Sequence, residues 1–566
     1  MSLLRRRKAP ENEIQSDVEP KVDDKEENKK SKKKVKKQKW SCIDSCCWFV
    51  GCICCVWWTL LFLYNAMPAS FPQYVTEAIT GPLPDPPGVK LQKEGLKAKH
   101  PVVFIPGIVT CGLELWEGHQ CAEGLFRKRL WGGTFGEVYK RPLCWVDHMT
   151  LDNETGMDPP GIRVRPVSGL VAADYFAPGY FVWAVLIANL ARIGYEEKTM
   201  YMAAYDWRLS FREHRGVLDT DIFHFQTLEY IMKMSRTWDA TMSMIPRGGD
   251  TIWGGLDWSP GEGYSPCKNK LKDAAAQISG QQENRTTDSK AKYYSYGRMI
   301  SFGKDAAEAD PSDLKRIDFR GAVKGSNVAN NTCDVWNEYQ EMGVSGTKAV
   351  EEYKVYTAGE IVDLLNFVAP KMMTRGSAHF SYGIADDLDD PKYSHYKYWS
   401  NPLETKLPNA PDMEIYSMYG VGIETERAYV YKRIPTAGCN IPFQIDTSAD
   451  DEDEDSCLKA GVYTVDGDET VPALSAGFMC AKGWRGRTRF NPSGIKTHIR
   501  EYYHAPPANL LEGRGTQSGA HVDIMGNFAL IEDIMRVAAG GTSEDLGGDR
   551  VYSDIFKWSE KINLRL

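Results

Sequence analysis

Gly461–Pro472 reads GVYTVDGDETVP, and farther along Gly519–Asn527 reads GAHVDIMGN. Gly461–Val465 alternates as a short strand does, and Asp466-Gly467 has the chemistry of a tight turn. Asp468 is therefore placed at a strand end, where folds of alternating strands and helices collect their chemistry. A carboxylate held there can orient a histidine. The matching residue is His521, on a loop after the strand-like Thr497–His504. Acid before base is the chain order of one known acyl-transfer triad, in which a serine nucleophile precedes both. The same residues have a plainer reading, an N-capping aspartate after an Asp-Gly turn and a solvated loop histidine.

The 566 residues, 42% hydrophobic and 25% charged, suffice for one large core with a sizeable insertion, or for two domains. The net charge of −8 is unevenly spread: eight lysines lie between Lys29 and Lys39, and Asp450–Asp455 is an unbroken acidic run that reads as a solvated loop. Residues 1–40 are polar and lack apolar periodicity, so they read as a disordered basic tail. Cys46–Tyr64, CCWFVGCICCVWWTLLFLY, carries no charge and is long enough to cross a bilayer as a helix. Without a small-residue cleavage site it reads as a signal anchor over residues 41–66. The lysines before it predict a cytosolic N-terminus and a lumenal remainder. Six of the fourteen cysteines lie in Cys42–Cys55, suited to apolar packing or palmitoylation, and the other eight face an oxidising lumen. No pair has zinc-ligand spacing, and disulfides are the better reading. Asn153, Asn284 and Asn330 each open a glycosylation sequon. No metal centre, no cofactor site and no nucleotide-binding loop is legible; nothing calls for nucleic acid, and no protein partner can be read.

Residues 67–98, rich in proline and glycine, read as a stalk. Residues 99–216 read as the first part of an α/β core. Pro101–Ile105 has the apolar run of a buried parallel strand and ends in Pro106-Gly107, where a sharp turn can aim the N–H groups of Ile108 and Val109 at an oxyanion. A plain strand-to-loop glycine is the alternative. Cys121 and Cys144 enclose Trp131, Gly132 and Gly133. A disulfide between them would close an aromatic-tipped flap suited to a lipid surface, unless the two are unpaired or paired elsewhere. Tyr180–Arg192 has helical spacing, and Thr199–Tyr205 reads as the next strand. Residues 217–412 lose this rhythm and read as an inserted cap. Residues 413–566 return to the core, with strands at Ile415–Tyr419 and Tyr429–Tyr431 and an amphipathic helix over Asn527–Ala539.

FIPGIVTCGLELWEGHQC (104–121), LWGGTFGEVY (130–139), YDWRLS (205–210), the long string from Thr220 to Pro260, YGVGIETERAYVYKR (419–433) and DGDETVP (466–472) together resemble the plant and algal phospholipid:diacylglycerol acyltransferases. These belong to the lecithin:cholesterol acyltransferase-like branch of the α/β-hydrolases. The resemblance runs from about Pro101 to the C-terminus. It implies a mostly parallel sheet with a cap, Asp468 and His521 as two members of the triad, Gly107–Val109 as the oxyanion loop, the Cys121–Cys144 flap and a second bridge, Cys439–Cys480. It further implies acyl transfer from a membrane phospholipid to diacylglycerol at the endoplasmic reticulum membrane, with phospholipid, diacylglycerol and the bilayer as partners and no cofactor.

The nucleophile is missing from this pattern. In the family, YDWRLS leads through a helix, a core strand and an H-S-M-G elbow before the stretch resembling LDTDIF. Here Ser210 is followed by FREHRG and then directly by Val217–Phe223. A βαβ unit takes roughly thirty residues or more, so a nucleophile strand and its return do not fit. Ser168, Ser210 and Ser345 have glycines nearby, but none stands at a sharp turn from an apolar strand into a helix, and no G-x-S-x-G occurs. The sheet is thus expected to be incomplete in its central strands. As written, the chain is an incomplete gene model, a splice form or a product without its own catalysis. Beside acyl transfer stand a catalytically silent lipid-binding or regulatory isoform and a lipase or phospholipase.

Overall fold

The computed structural model describes residues 84–133, 136, 140–177, 180–209, 234–261, 294–322, 337–434, 442–450, 458–507 and 515–566, with 52, 55–57 and 59 near the N-terminus. The chain divides into two units, Met1–Leu83 and Pro84–Leu566. In the first, Cys52, Cys55, Val56, Trp57 and Thr59 are helical and exposed; the rest of the predicted span and the whole basic tail lie outside the described residues. Among the described residues no helix is long and apolar enough to cross a membrane.

The second unit opens with a helix, α1 (Pro87–Lys93), where the sequence suggests stalk. Pro87 at its first position presets the helical φ. Leu91 is fully buried, and the N–H of Gly88 donates to Asn189 Oδ1 at 2.7 Å. A Cβ at Gly88 would lie 2.6 Å from the carbonyl oxygen of Asn189, so glycine is what lets α1 dock. The later part of the stalk is therefore core; one leucine and one glycine are too small a pattern to announce it.

Strand β1 (Val102–Phe104) follows. β2 (Leu113–Glu117), β3 (Arg129–Trp131) and β4 (Arg163–Pro166) form a separate antiparallel sheet in the order β3-β2-β4, against which lies α2 (Pro142–Met149). A short hairpin, β5 (Tyr175–Ala177) with β6 (Tyr180–Phe181), takes the first two residues of the predicted 180–192 helix, leaving α3 as Ala184–Arg192. β7 (Met200–Met202) then pairs in parallel with β1. From the segment read as a cap come α4 (Gly249–Trp253), β8 (Arg298–Phe302), β9 (Val355–Thr357) and α5 (Ala358–Val368). The C-terminal part adds β10 (Glu414–Val421), β11 (Ile423–Arg433), β12 (Phe443–Ile445), β13 (Leu458–Lys459), β14 (Val462–Gly467), α6 (Ala473–Phe478), β15 (Lys496–Tyr503), α7 (Phe528–Ala538) and α8 (Ile555–Lys561).

The sheets are mixed, not one mostly parallel layer. Among the strands of the described residues, the parallel pairs are β1–β7, β10–β15 and β8–β11; a six-stranded sheet of order β13-β14-β11-β8-β9, with β12 on β11, is otherwise antiparallel. β8 and β9 thus join the cap segment to the strand pair β11–β14, which leads to Asp468. Among the described residues, β1–β7 and β10–β15 are separate two-stranded parallel pairs. α7 spans both: Ile531 and Met535 pack beneath β1–β7 with Leu91, Leu186 and Leu190, while Leu530 packs against Tyr502 of β15. Sheets of this kind bury both faces. Here Phe104 is buried over α3 and α7, but Val103 is 59% exposed, its register partner Tyr201 51% and Ile105 68%.

Candidate active site

β14 carries the apolar-inward alternation of GVYTVDG and delivers Asp468 at its end. The turn lies one step later than the sequence suggests: Asp466 and Gly467 still pair with β11. Asp468 makes the turn itself, its Oδ1 accepting the N–H groups of Thr470 (3.0 Å) and Val471 (2.7 Å). These two donors fix one carboxylate oxygen and leave Oδ2 for the base. His521 Nδ1 lies 2.9 Å from Asp468 Oδ2, and the His521 N–H donates to the Asp468 carbonyl at 2.8 Å. Both chain and ring are thus tied to one aspartate, and Nε2 is left as the free ring nitrogen for proton transfer. Burial works against the imidazolium, but the hydrogen bond and charge of Asp468, with the more distant charge of Glu469, hold the His521 pKa above its ordinary value. Glu469 has φ 83°, a left-handed conformation in a non-glycine residue, and its N–H donates to Thr425 Oγ1 at 2.9 Å. Such strain is kept only where surroundings enforce it. The His521 loop reaches this position because Gly420 of β10 has no side chain: a Cβ there would be 1.7 Å from the Gly519 carbonyl oxygen.

Asp468 and His521 share the wall of a cavity of about 840 Å³ with Ile245, Ile252, Trp253, Met299, Leu403, Leu474 and Trp484, and with Arg247, Lys406, Glu426 and Arg427. Most of this lining comes from segments the sequence offers only as a glycine- and tryptophan-rich cap, so α4 and its neighbours went unassigned until the fold brought them to β14. Apolar walls around an acid–base pair suit acyl chains and strengthen the pair's electrostatics.

Gly107, Ile108 and Val109 do not line that cavity. Gly107 opens a turn three residues after β1, its carbonyl accepting from Thr110 Oγ1 at 2.7 Å, and Ile108 is buried. Val109 has φ 58°, unfavourable for a β-branched residue. The strain is held by Trp131, whose indole N–H donates to the Val109 carbonyl at 2.6 Å. Trp131 is therefore not the exposed tip of a flap. It is 7% exposed, stacked on Trp145 and edge-on to Phe176, Trp207 and Trp238. An indole seeks both apolar contact and a partner for its N–H, and the interior supplies both. Among the described residues of the 113–131 stretch, Trp116 and Phe126 are the exposed aromatics.

A disulfide joins Cys121 and Cys144, with Cα atoms 6.0 Å apart. These sulfurs and His148 lie close enough to hold an ion, but both sulfurs are consumed by the bridge. Of the second implied bridge, Cys439–Cys480, only Cys480 is described, and it stands as a thiol. It packs in the core with Phe478, Ile499 and Ile555, where burial pushes its pKa up to about 12. Cys439 lies outside the described residues, as does Ser210; Ser168 and Ser345 are exposed and apart from the cavity.

The family pattern described as lecithin:cholesterol acyltransferase matches residues 125–224 and 218–527. The chain belongs to the lecithin:cholesterol acyltransferase family. An Arabidopsis thaliana relative, phospholipid:diacylglycerol acyltransferase 1, is 64% identical over 628 aligned positions covering 93% of each chain. Proteins named phospholipid:diacylglycerol acyltransferase from Schizosaccharomyces pombe and Saccharomyces cerevisiae are each 30% identical, covering 84% and 83% of this chain and 78% and 74% of their own. Since 93% of 566 residues is about 526, about 100 of the 628 positions shared with the Arabidopsis family member have no residue here. An α/β-hydrolase-like fold follows from membership, and the two parallel strand pairs are its recognisable parts.

Proposed function

We propose that this gene encodes a phospholipid:diacylglycerol acyltransferase, moving a fatty acyl group from phospholipid to diacylglycerol without acyl-CoA and yielding lysophospholipid and triacylglycerol. The observation that carries the reading is the Asp468–His521 pair, 2.9 Å apart in the wall of a largely apolar cavity. In this chemistry a serine attacks the acyl ester while His521 takes its proton and Asp468 holds the imidazole tautomer. The proton then passes to the departing lysophospholipid. Diacylglycerol enters, His521 deprotonates its free hydroxyl, and attack on the acyl-enzyme releases triacylglycerol and the serine. Gly107–Val109 supplies the oxyanion donors once the strand beside it is in place. The lysine cluster and Cys46–Tyr64 support anchoring in the endoplasmic reticulum membrane with this domain lumenal.

The serine is the piece this chain lacks, and the interval from Trp207 to Phe223 is where the family's nucleophile unit belongs. That absence favours a second reading, in which the product as written is a silent lipid-binding isoform. One experiment separates them. Full-length transcripts are sequenced across Trp207–Phe223, and both the chain as written and any longer form are expressed in a host without triacylglycerol synthesis and supplied with labelled phospholipid. A longer message that makes labelled triacylglycerol, beside a written form that makes none, supports acyl transfer as the gene's function. If no longer message exists and the written form makes none, the silent isoform stands.

A further inference from the structure

The cavity holds a second cluster that the acid–base chemistry does not use. β11 runs antiparallel to β14, the strand that delivers Asp468. Glu426 lies opposite Thr464 and Ala428 opposite Tyr463, so β11 has one residue more than its partner, and Arg427 is the bulged residue. A bulge breaks the in–out alternation and re-aims a side chain. Arg427 is 3% exposed; its Nη2 donates to the Trp253 carbonyl at 2.9 Å, and its guanidinium lies 4.8 Å from the centre of the Trp253 ring. The indole N–H of Trp253 in turn donates to the Arg247 carbonyl at 2.8 Å. One tryptophan thus touches the guanidinium of Arg427 and the backbone of Arg247, and all three residues line the cavity with Asp468 and His521. Lys406, ion-paired with Asp389, adds a third cation. The carboxylate of Glu426 also lines the cavity, with its Oε2 accepting the Tyr429 hydroxyl at 2.9 Å.

A guanidinium is planar, and one held over an indole presents its fork of donors from a fixed place, which suits the paired oxygens of a phosphate. Of the two lipids in the proposed reaction only the donor carries such an anion; diacylglycerol is neutral. We propose that Arg427, held over Trp253, and the neighbouring cavity-lining Arg247 form the subsite for the phosphodiester of a glycerophospholipid. This deepens the acyl-transfer reading and rests on it, since it fixes which wall of the cavity receives the donor's headgroup.

The test is binding, which needs no nucleophile. The full-length chain is titrated calorimetrically with dihexanoylphosphatidylcholine below its micelle concentration and with dihexanoylglycerol, as wild type and as Arg427→Gln and Arg247→Gln. Thermal unfolding is followed in parallel, and Arg247→Gln, at a half-buried position, keeps the question open should Arg427→Gln fail to fold. The expected result is phosphatidylcholine binding weakened about tenfold in each variant, with dihexanoylglycerol binding unchanged. Equal losses for both probes, or none, assign Arg427 to supporting Trp253 alone and overturn the subsite. Competition by inorganic phosphate as strong as by glycerophosphocholine assigns the arginines to free phosphate and overturns the lipid reading. If wild type binds neither probe, the acyl-transfer reading of the cavity falls, a failure distinct from that of the arginines.

Discussion

Asp468 holds its neighbours with both carboxylate oxygens: Oδ1 takes two backbone N–H groups and Oδ2 takes His521. Because the His521 pKa is raised above 6.5 in the folded chain, the protonated imidazole is the form that pairing favours. Its contribution to stability is fully present below the unfolded histidine value and is lost as pH rises through the higher folded value. Titrated by proton NMR, the His521 ring should have a midpoint above 6.5 that falls in Asp468→Asn. An unshifted midpoint in wild type, or no change in the variant, contradicts the pairing. Trp131 offers a second residue-scale test. Trp131→Phe keeps most of the apolar contact but deletes the donor to the Val109 carbonyl, so it should cost about 1–3 kcal/mol in denaturant unfolding and raise amide exchange in residues 107–111. Exchange unchanged across that loop means that Trp131 does not hold it. The type and order of the acid and base were legible in DGDETVP and GAHVD. The buried position of Trp131 was not, because sequence shows an indole's size but not whether its N–H finds a partner inside.

At the scale of elements, the His521 loop and strand β10 touch through glycine. Gly420→Ala places a methyl group 1.7 Å from the Gly519 carbonyl oxygen, so backbone must move. Overpacking of this kind costs about 1–3 kcal/mol, and here it should also shift the His521 ring resonances, which a purely local strain would leave alone. Strands β1, β10, β14 and β15 and helix α7 were legible from their apolar runs and periodicity. Asn527 caps α7 through its side chain, accepting from Ala529 and Leu530. The pairing of β8 with β11 was not, because pairing partners are chosen by contacts between segments far apart in the chain. The docking of α1 escaped for the same reason, resting on Asn189, about a hundred residues downstream.

For the whole molecule, α7 lies beneath both parallel pairs, β1–β7 and β10–β15. The face of β1–β7 away from α3 and α7 leaves Val103, Ile105 and Tyr201 open to solvent. On the proposed reading, the central strands of a longer form cover this face. In the chain as written, Ile105→Glu should leave stability within about 0.5 kcal/mol of wild type and lower the binding of a hydrophobic dye. In a longer form carrying the family's central strands, the same change should destabilise by about 2 kcal/mol or more, because a charge would then be buried. Equal effects in both forms mean that this face is not where the missing strands pack.

By itself the sequence determined the chemistry on offer: an acid followed by a base in triad order, a membrane-length apolar run behind a lysine cluster, the family's strings, and an interval too short for a nucleophile unit. These are local or ordered along the chain, and so survive as pattern. Only the tertiary structure decided that Trp131 is a buried support, that Cys480 is buried in the core, and that a bulge in β11 brings Arg427 against Trp253 at the cavity of Asp468 and His521. Each depends on which surfaces meet across hundreds of residues, a choice made by packing and burial that no single segment encodes.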